Sequence, residues 1–202
     1  PRRYGYARDG RGWLLTDAIG APSREVPEHQ SRYYLGLLRP LGWTEAARAP
    51  RLHLTEDEQE AMNRRLSESG LGLSEWLIGL NPGSTYGSAK RWLPERFAET
   101  ADRLAATFGG RVVIVGGPGE EALGQAVADA MQAKALVLSG HTTIRELMAI
   151  IRRCRVFLTN DTGPMHIAAA FGVPTVAVFG PTDARTTFPL GTGHRLVRRS
   201  VE

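Results

Sequence analysis

"RVFLTNDTGPMHIAAAFGVPTVAVFG", residues 155–180, reads as a strand, a helix and a second strand with little between them. "RVFLT" is short and apolar, with turn-forming Asn160 and Asp161 at its end. Gly163-Pro164 opens a segment of small residues, and Pro is tolerated in a first helical turn, where its missing N–H would be unpaired anyway. "PTVAVFG" is apolar again. Two strands joined through a helix cannot form a hairpin, so this is a crossover unit of a parallel sheet.

The same alternation extends outward. "WLIGLN", "RVVIVGG" and "ALVLSG" read as strands, and "HRLVRR" as one more. Between them "LPERFAETADRLAATFG", "EEALGQAVADAMQ" and "TIRELMAIIRRC" carry helical apolar spacing. Continuous apolar strands, without in–out alternation, imply a sheet covered on both faces. The fold class is therefore α/β, a Rossmann-like parallel sheet with helices on both faces. Residues 1–50 are irregular, with a helical stretch over 27–42 in which Tyr34, Leu35, Leu37 and Leu38 share a face. "RLHLTEDEQEAMNRRLSESG" predicts a short strand and then a helix, with Thr55 and Glu58 as a capping box and Gly70 as the stop.

Of the chain's 202 residues, 42% are hydrophobic and 23% charged, which suits a water-soluble globular protein. There is no apolar run of about 18 residues and no signal-peptide pattern. The single Cys154 forms no intrachain disulfide framework and suits a reducing compartment such as the cytoplasm. Net charge is +4, with arginine clusters at 2–3, 152–155 and 198–199. These read either as a solvated face or as attraction to phosphate on a ligand or membrane. No nucleic-acid-binding motif accompanies them.

Ligands of such sheets lie beyond the carboxyl ends of the strands, so the segments after each strand carry the chemistry. "NPGSTYGSAKRW", residues 81–92, offers tight turns at Gly83 and Gly87, hydroxyls at Ser84, Thr85 and Ser88, and cations at Lys90 and Arg91. That suits a phosphate oxygen, although a polar loop would look alike. It is not a Walker A loop, because G-x-x-x-x-G-K-[ST] is absent. "GGPGEEA", residues 116–122, contains G-x-G-x-x-A after a strand, but "ALVLSG" lacks the acidic residue a dinucleotide fold places at its next strand end. Glu120 or Glu121 could accept from a ribose diol, or merely favour a helix N-terminus. Thr142 or Thr143 marks a helix start, Thr143 and Glu146 repeat the capping-box pattern, and a nearby backbone could contact a flat base. At the seam, Asp161 reads as a helix cap or a ligand residue, with the first amides of the Gly163 helix facing an anion. The five histidines show no metal-ligand spacing, and no G-x-S-x-G elbow is present, so neither a metal nor a serine nucleophile is expected.

"NPGSTYGSAKRWLPERFAETADRL" and "TNDTGPMHIAAAFGVPTVAVFGPTD" resemble the loop-helix and nucleotide-sugar signatures of glycosyltransferase family 9, the heptosyltransferases of the lipopolysaccharide inner core. "RRYGYARDGRGWLLTDA" resembles the segment ending that family's N-terminal half, and "YGSAKRW" is similar to its type II branch. The resemblance implies a GT-B fold, with residues 1–50 the tail of the acceptor domain and its connection, and residues 51–202 the donor-binding C-terminal domain. It implies an ADP-heptose donor, a heptosyl-Kdo2-lipid A acceptor, inversion at the anomeric carbon and no cofactor or metal. It further implies a soluble enzyme, peripheral at the inner face of the inner membrane. Carried over by motif, Ser84, Thr85 and Lys90 face the diphosphate, Glu121 or Glu120 the ribose, and Thr142 or Thr143 the adenine. Asp161, Thr162 and Gly163 surround the sugar and pyrophosphate, and His166 supports that loop. Lys90 and Asp161 are the implied catalytic residues of this chain. The general base, an aspartate in the family, is expected before residue 1, so donor binding alone is expected of these residues. Two alternatives remain: a stand-alone ADP-sugar-binding module, or another GT-B nucleotide-sugar enzyme such as an epimerase.

Overall fold

The computed structural model describes residues 1–23, 27–44, 48–85 and 87–198. Tyr86, within the 81–92 loop, and Arg199, of the last arginine pair, lie outside the described residues. The chain divides into two units, Pro1–Arg48 with Asp183–Phe188, and Ala49–Thr182 with Pro189–Glu202.

In the first unit β1 (Tyr4–Tyr6) and β2 (Asp17–Ile19) pair in parallel. Helix α1 covers only Gln30–Leu35 and tightens into a 3-10 turn over Gly36–Leu41. The helix expected over 27–42 is thus shorter, and its apolar face is not a core face, because Tyr34 and Leu38 are exposed. Pro40 lies inside the 3-10 turn and has no N–H to continue an α-helical ladder. What fixes this turn is Tyr6, whose hydroxyl donates to the Tyr33 carbonyl at 2.6 Å. A Cβ at Gly36 would fall 2.3 Å from that hydroxyl, so the position requires glycine.

The second unit begins with α2 (Glu56–Glu68), preceded by irregular chain rather than the expected short strand at "RLHL". The Thr55–Glu58 capping box is formed, and Gly70 follows with the left-handed φ of +79°. Then come β3 (Leu77–Asn81), α3 (Pro94–Phe108), β4 (Arg111–Ile114), α4 (Glu121–Ala130) and β5 (Ala135–Val137). They are followed by α5 (Ile144–Arg153), β6 (Val156–Asn160), α6 (Gly163–Ala170) and β7 (Thr175–Val178). Helix α7 (Ala184–Thr187) belongs to the first unit, and β8 (Arg195–Val197) closes the sheet.

All pairings in this sheet are parallel, in the order β5-β4-β3-β6-β7-β8. Strand faces alternate, as a period of two requires. Leu77, Val113, Val115 and Phe157 pack with Met62 and Leu66 of α2, Ile150 and Ile151 of α5 and Ala168 of α6. Ile78, Leu80, Val112, Ile114 and Leu158 pack on the other side with Phe97 and Ala101 of α3 and Val127 of α4. The chain runs from β3 outward to β5, then returns to start again at β6 on the other side of β3. The loops after β3 and β6 therefore diverge, and the crevice between them is where such sheets bind ligands.

One close contact ties the helical layer to the sheet, and an ion pair ties two helices of that layer to each other. At Gly79, in the middle of β3, an added Cβ would meet Phe157 at 2.5 Å and the Cys154 sulfur at 2.7 Å. Glu58 of α2 pairs with the Arg145 guanidinium of α5, which with the Thr55 backbone amide draws its carboxyl down to about 2. Gly79→Ala should cost about 1–3 kcal/mol of stability through overpacking, read as a lower urea midpoint at unchanged m-value. The Glu58 carboxyl lies lower in the folded chain than unfolded, so its contribution is whole above the ordinary carboxylate range and lost as pH falls toward 2. Acid titration of thermal stability should therefore be shallower in Glu58→Gln than in the wild type.

Candidate functional site

Asn81 ends β3 and Asn160 ends β6, and the register sets Asn81 opposite Thr159. The Asn81 amide donates to the Thr159 hydroxyl at 3.2 Å, which closes the floor of the crevice. Above it the chain after β3 loops out over residues 82–92 and includes a 3-10 turn at Ser88–Lys90. Asn160 is fully buried, and its side chain holds both ends of that loop. Its Nδ2 donates to the Pro82 carbonyl at 2.8 Å and to the Gly83 carbonyl at 3.4 Å, while its Oδ1 accepts from the Trp92 amide at 3.0 Å. The turn also rests against the chain after β7, where a Cβ on Gly180 would fall 2.9 Å from the Ala89 carbonyl.

Lys90, the last residue of the turn, reaches Asp161, with Nζ 2.7 Å from Oδ2. The same oxygen accepts from the Thr182 hydroxyl at 2.8 Å. The carboxylate is 5% exposed and the ammonium 18%, so this is a partly desolvated pair. Its attraction is much larger there than at a surface, and removing one partner would leave a buried charge uncompensated. Asp161 is therefore not the helix cap anticipated from its position. Thr162 occupies the N-cap of α6, and its side chain makes no capping bond. The Asp161 Oδ2 is held instead by Lys90 and Thr182. Gly163, the first residue of α6, is exposed, and Met165 and Ala168 bury the helix against the sheet.

The glycine loop after β4 places two carboxylates differently. Glu120 is the N-cap of α4, and its Oε2 accepts from the Gly117 amide at 2.8 Å. It lies close against Gly83, where an added Cβ would fall 2.1 Å from Oε2 and the carboxylate would have to shift. Arg91 Nη2 stands 3.7 Å from Glu120 Oε1 and donates to the Ser84 carbonyl at 3.2 Å. Glu121 opens α4 and is exposed. Its own backbone amide, and then that of Gly119, hold its carboxyl below the ordinary range. A Cβ on Gly140 would collide with it, so Glu121 leans toward the loop after β5.

The remaining anticipated residues fall on the same edge with different degrees of engagement. Ser84 is buried with its hydroxyl unpartnered, and Ser139, after β5, is in the same condition. Thr85 is exposed. Thr143 is committed to its capping box with Glu146, accepting from the Glu146 amide at 3.2 Å, whereas Thr142 and Thr162 are half-buried. His166 is half-buried on α6. The sequence marks Asn160 as part of the seam, Thr182 as part of a loop that could close over the pocket or contact an acceptor, and Ser139 as ending a strand, but it assigns none of them to the donor. The edge thus offers one cation from Lys90, unpartnered hydroxyls and the amide end of an eight-residue helix, a set suited to a diphosphate. The acidic pair Glu120 and Glu121 suits a diol beside it. Among the described residues, no cluster of three or more His, Cys, Asp or Glu side chains could hold a metal ion.

Comparison with known proteins agrees with this architecture. Residues 1–201 match glycosyltransferase family 9 (heptosyltransferase). Lipopolysaccharide heptosyltransferase 2 of Salmonella typhimurium is 32% identical over 98% of the chain and 59% of its own length. Its Escherichia coli K12 counterpart is 31% identical over the same shares. The chain thus spans less than two thirds of the length of these relatives. Among solved structures, ADP-heptose lipopolysaccharide heptosyltransferase II of E. coli superposes with a TM-score of 0.85 at 29% identity, over 100% of this chain and 63% of that one. A family 9 glycosyltransferase of Veillonella parvula gives 0.82, also at 29% identity, over 92% and 53%. With the match running from the first residue through β8, the chain belongs to glycosyltransferase family 9, the heptosyltransferases.

Proposed function

We propose that this chain supplies the donor half of a heptosyltransferase of lipopolysaccharide inner-core synthesis, holding ADP-L-glycero-D-manno-heptose at the carboxyl edge of its sheet. The observation that carries the reading is the Lys90–Asp161–Thr182 constellation at the β3/β6 crevice, next to the α6 N-terminus. Support for the donor's identity comes from the ADP-heptose named for the E. coli relative, and for the acceptor from the lipopolysaccharide named for the curated ones.

In this reading the diphosphate lies across Lys90, the Ser84 and Thr85 hydroxyls and the first amides of α6. Glu120 or Glu121 accepts from the ribose, and Thr142 or Thr143 adjoins the adenine. Asp161 and Thr162 flank the heptose, and His166 supports their loop. The acceptor hydroxyl attacks the anomeric carbon from the face opposite ADP, its proton passes to a general base, and the carbon–oxygen bond to ADP breaks with inversion. We place that base in the part of the relatives' length this chain does not span. Charge growing on the leaving diphosphate is met by Lys90 and the oriented amides, so the step needs no metal. Preorganised donors of this kind are worth about 3–4 kcal/mol each where they have been removed singly.

The remaining elements of the proposal concern context. The enzyme works in the cytoplasm at the inner face of the inner membrane, on a lipid-linked acceptor. No described helix is long and apolar enough to cross a membrane, so such contact would be peripheral. Nucleic acid has no place in it.

Calorimetry of this chain with ADP should show binding, with Lys90→Ala and Asp161→Ala each weakening it by roughly tenfold or more. In the longer protein the same substitutions should lower turnover by a similar factor, and near-normal turnover in both would remove this crevice from the mechanism. Competition of ADP against UDP separates a heptosyltransferase from another nucleotide-sugar enzyme. ADP should win by roughly tenfold or more, and equal affinity or a preference for UDP argues for the alternative.

A further inference from the structure

The loop that presents Lys90 has no regular hydrogen-bonded ladder of its own beyond the short 3-10 turn at Ser88–Lys90. Its ends are held by a single side chain, and that side chain is not on the loop. Asn160 is at the end of β6, fully buried, and its amide has an enforced orientation. Trp92 N–H is a donor, so Oδ1 must face it at 3.0 Å, and the Pro82 carbonyl is an acceptor, so Nδ2 must face it at 2.8 Å. One planar group thereby fixes the distance between residues 82 and 92, and with it where the turn carrying Lys90 emerges. The next residue, Asp161, receives the Lys90 ammonium. Strand β6 thus both aims the loop and meets its charge. No other residue type meets this demand at the same reach without change: aspartate has no donor for the carbonyl, and leucine has neither group.

We propose that Asn160 is a positioning residue for diphosphate binding, acting through the 82–92 loop to hold Lys90 at the crevice. This role rests on the donor reading above. Asn160 acts through the diphosphate-facing groups of that loop, Lys90 with Ser84 and Thr85, which gives it a signature that a general loss of stability lacks. In this role Lys90 meets the second phosphate, which ADP carries and AMP lacks. A displaced loop should therefore cost ADP affinity and spare AMP, while partial unfolding lowers the competent fraction for both equally.

The test is calorimetry of the wild type, Asn160→Asp, Lys90→Ala and the double variant with ADP and AMP. Asn160→Asp keeps the Trp92 acceptor but sets a carboxylate oxygen against the Pro82 carbonyl. It should weaken ADP by roughly tenfold and AMP by no more than about twofold. In the Lys90→Ala background the Asn160→Asp loss for ADP should shrink, since the part carried by Lys90 is already gone and contacts that act through one group are not additive. Should Asn160→Asp not fold, Asn160→Ser, smaller and uncharged, is read the same way. Equal losses for ADP and AMP, or full additivity with Lys90→Ala, overturn the role while leaving the donor reading intact. A wild type that binds neither nucleotide overturns the donor reading and this role with it.

Discussion

The pairing of β3 with β6 is the constraint from which the site follows. These neighbours are far apart in sequence, and each is the first strand of a run that proceeds away from the other. Their outgoing loops cannot cover one another, so the edge between them stays open. Everything polar in the crevice is then a consequence of which residues end those two strands. Asn81 and Thr159 join across the floor, and Asn160 and Asp161 project one step beyond it. A slip of one residue in this register would exchange the faces of the strand, put Thr159 where Leu158 now packs with Ile78 and Leu80, and set Asn160 opposite Asn81. The apolar layers on both sides forbid that slip, so the core specifies the site's geometry as firmly as it specifies the fold.

Much of the fold was readable because strand and helix each repeat a simple physical pattern. The six strands of the main sheet coincide with the apolar runs, and both capping boxes form where T-x-x-E occurs. The exceptions have local causes. "RLHL" has strand-like alternation, yet it has no neighbour with which to pair and remains irregular. The 27–42 stretch has apolar residues at helical spacing, but Gly36 under the Tyr6 hydroxyl and Pro40 divide it. Propensity sees a segment, whereas pairing partners and close packing belong to the rest of the molecule.

The site was legible in its location and less so in its chemistry. Glycines and hydroxyls after successive strands mark an edge for an anion, and the structure brings Ser84, Lys90, Asp161 and Thr162 to that edge. What a linear reading cannot supply is the assignment of partners. Asp161 stands where a helix cap would stand, and only the arrival of Lys90 and Thr182 from two other loops shows that its carboxylate is taken. Glu120 and Glu121 are adjacent and chemically alike, yet one lies against Gly83 and the other leans to the loop after β5. That difference follows the loop amide each carboxylate accepts from, Gly117 for Glu120 and Gly119 for Glu121, a pairing the linear sequence does not display.

The Lys90–Asp161 pair also bears on how a diphosphate could be both held and released. Asp161 aims the ammonium before any ligand arrives, and Thr182 fixes the carboxylate in turn. In the proposed transfer, charge moving onto the leaving oxygen strengthens its attraction to Lys90 and the α6 amides. An arrangement of this kind stabilises the departing group more than the bound donor, and only that difference accelerates transfer.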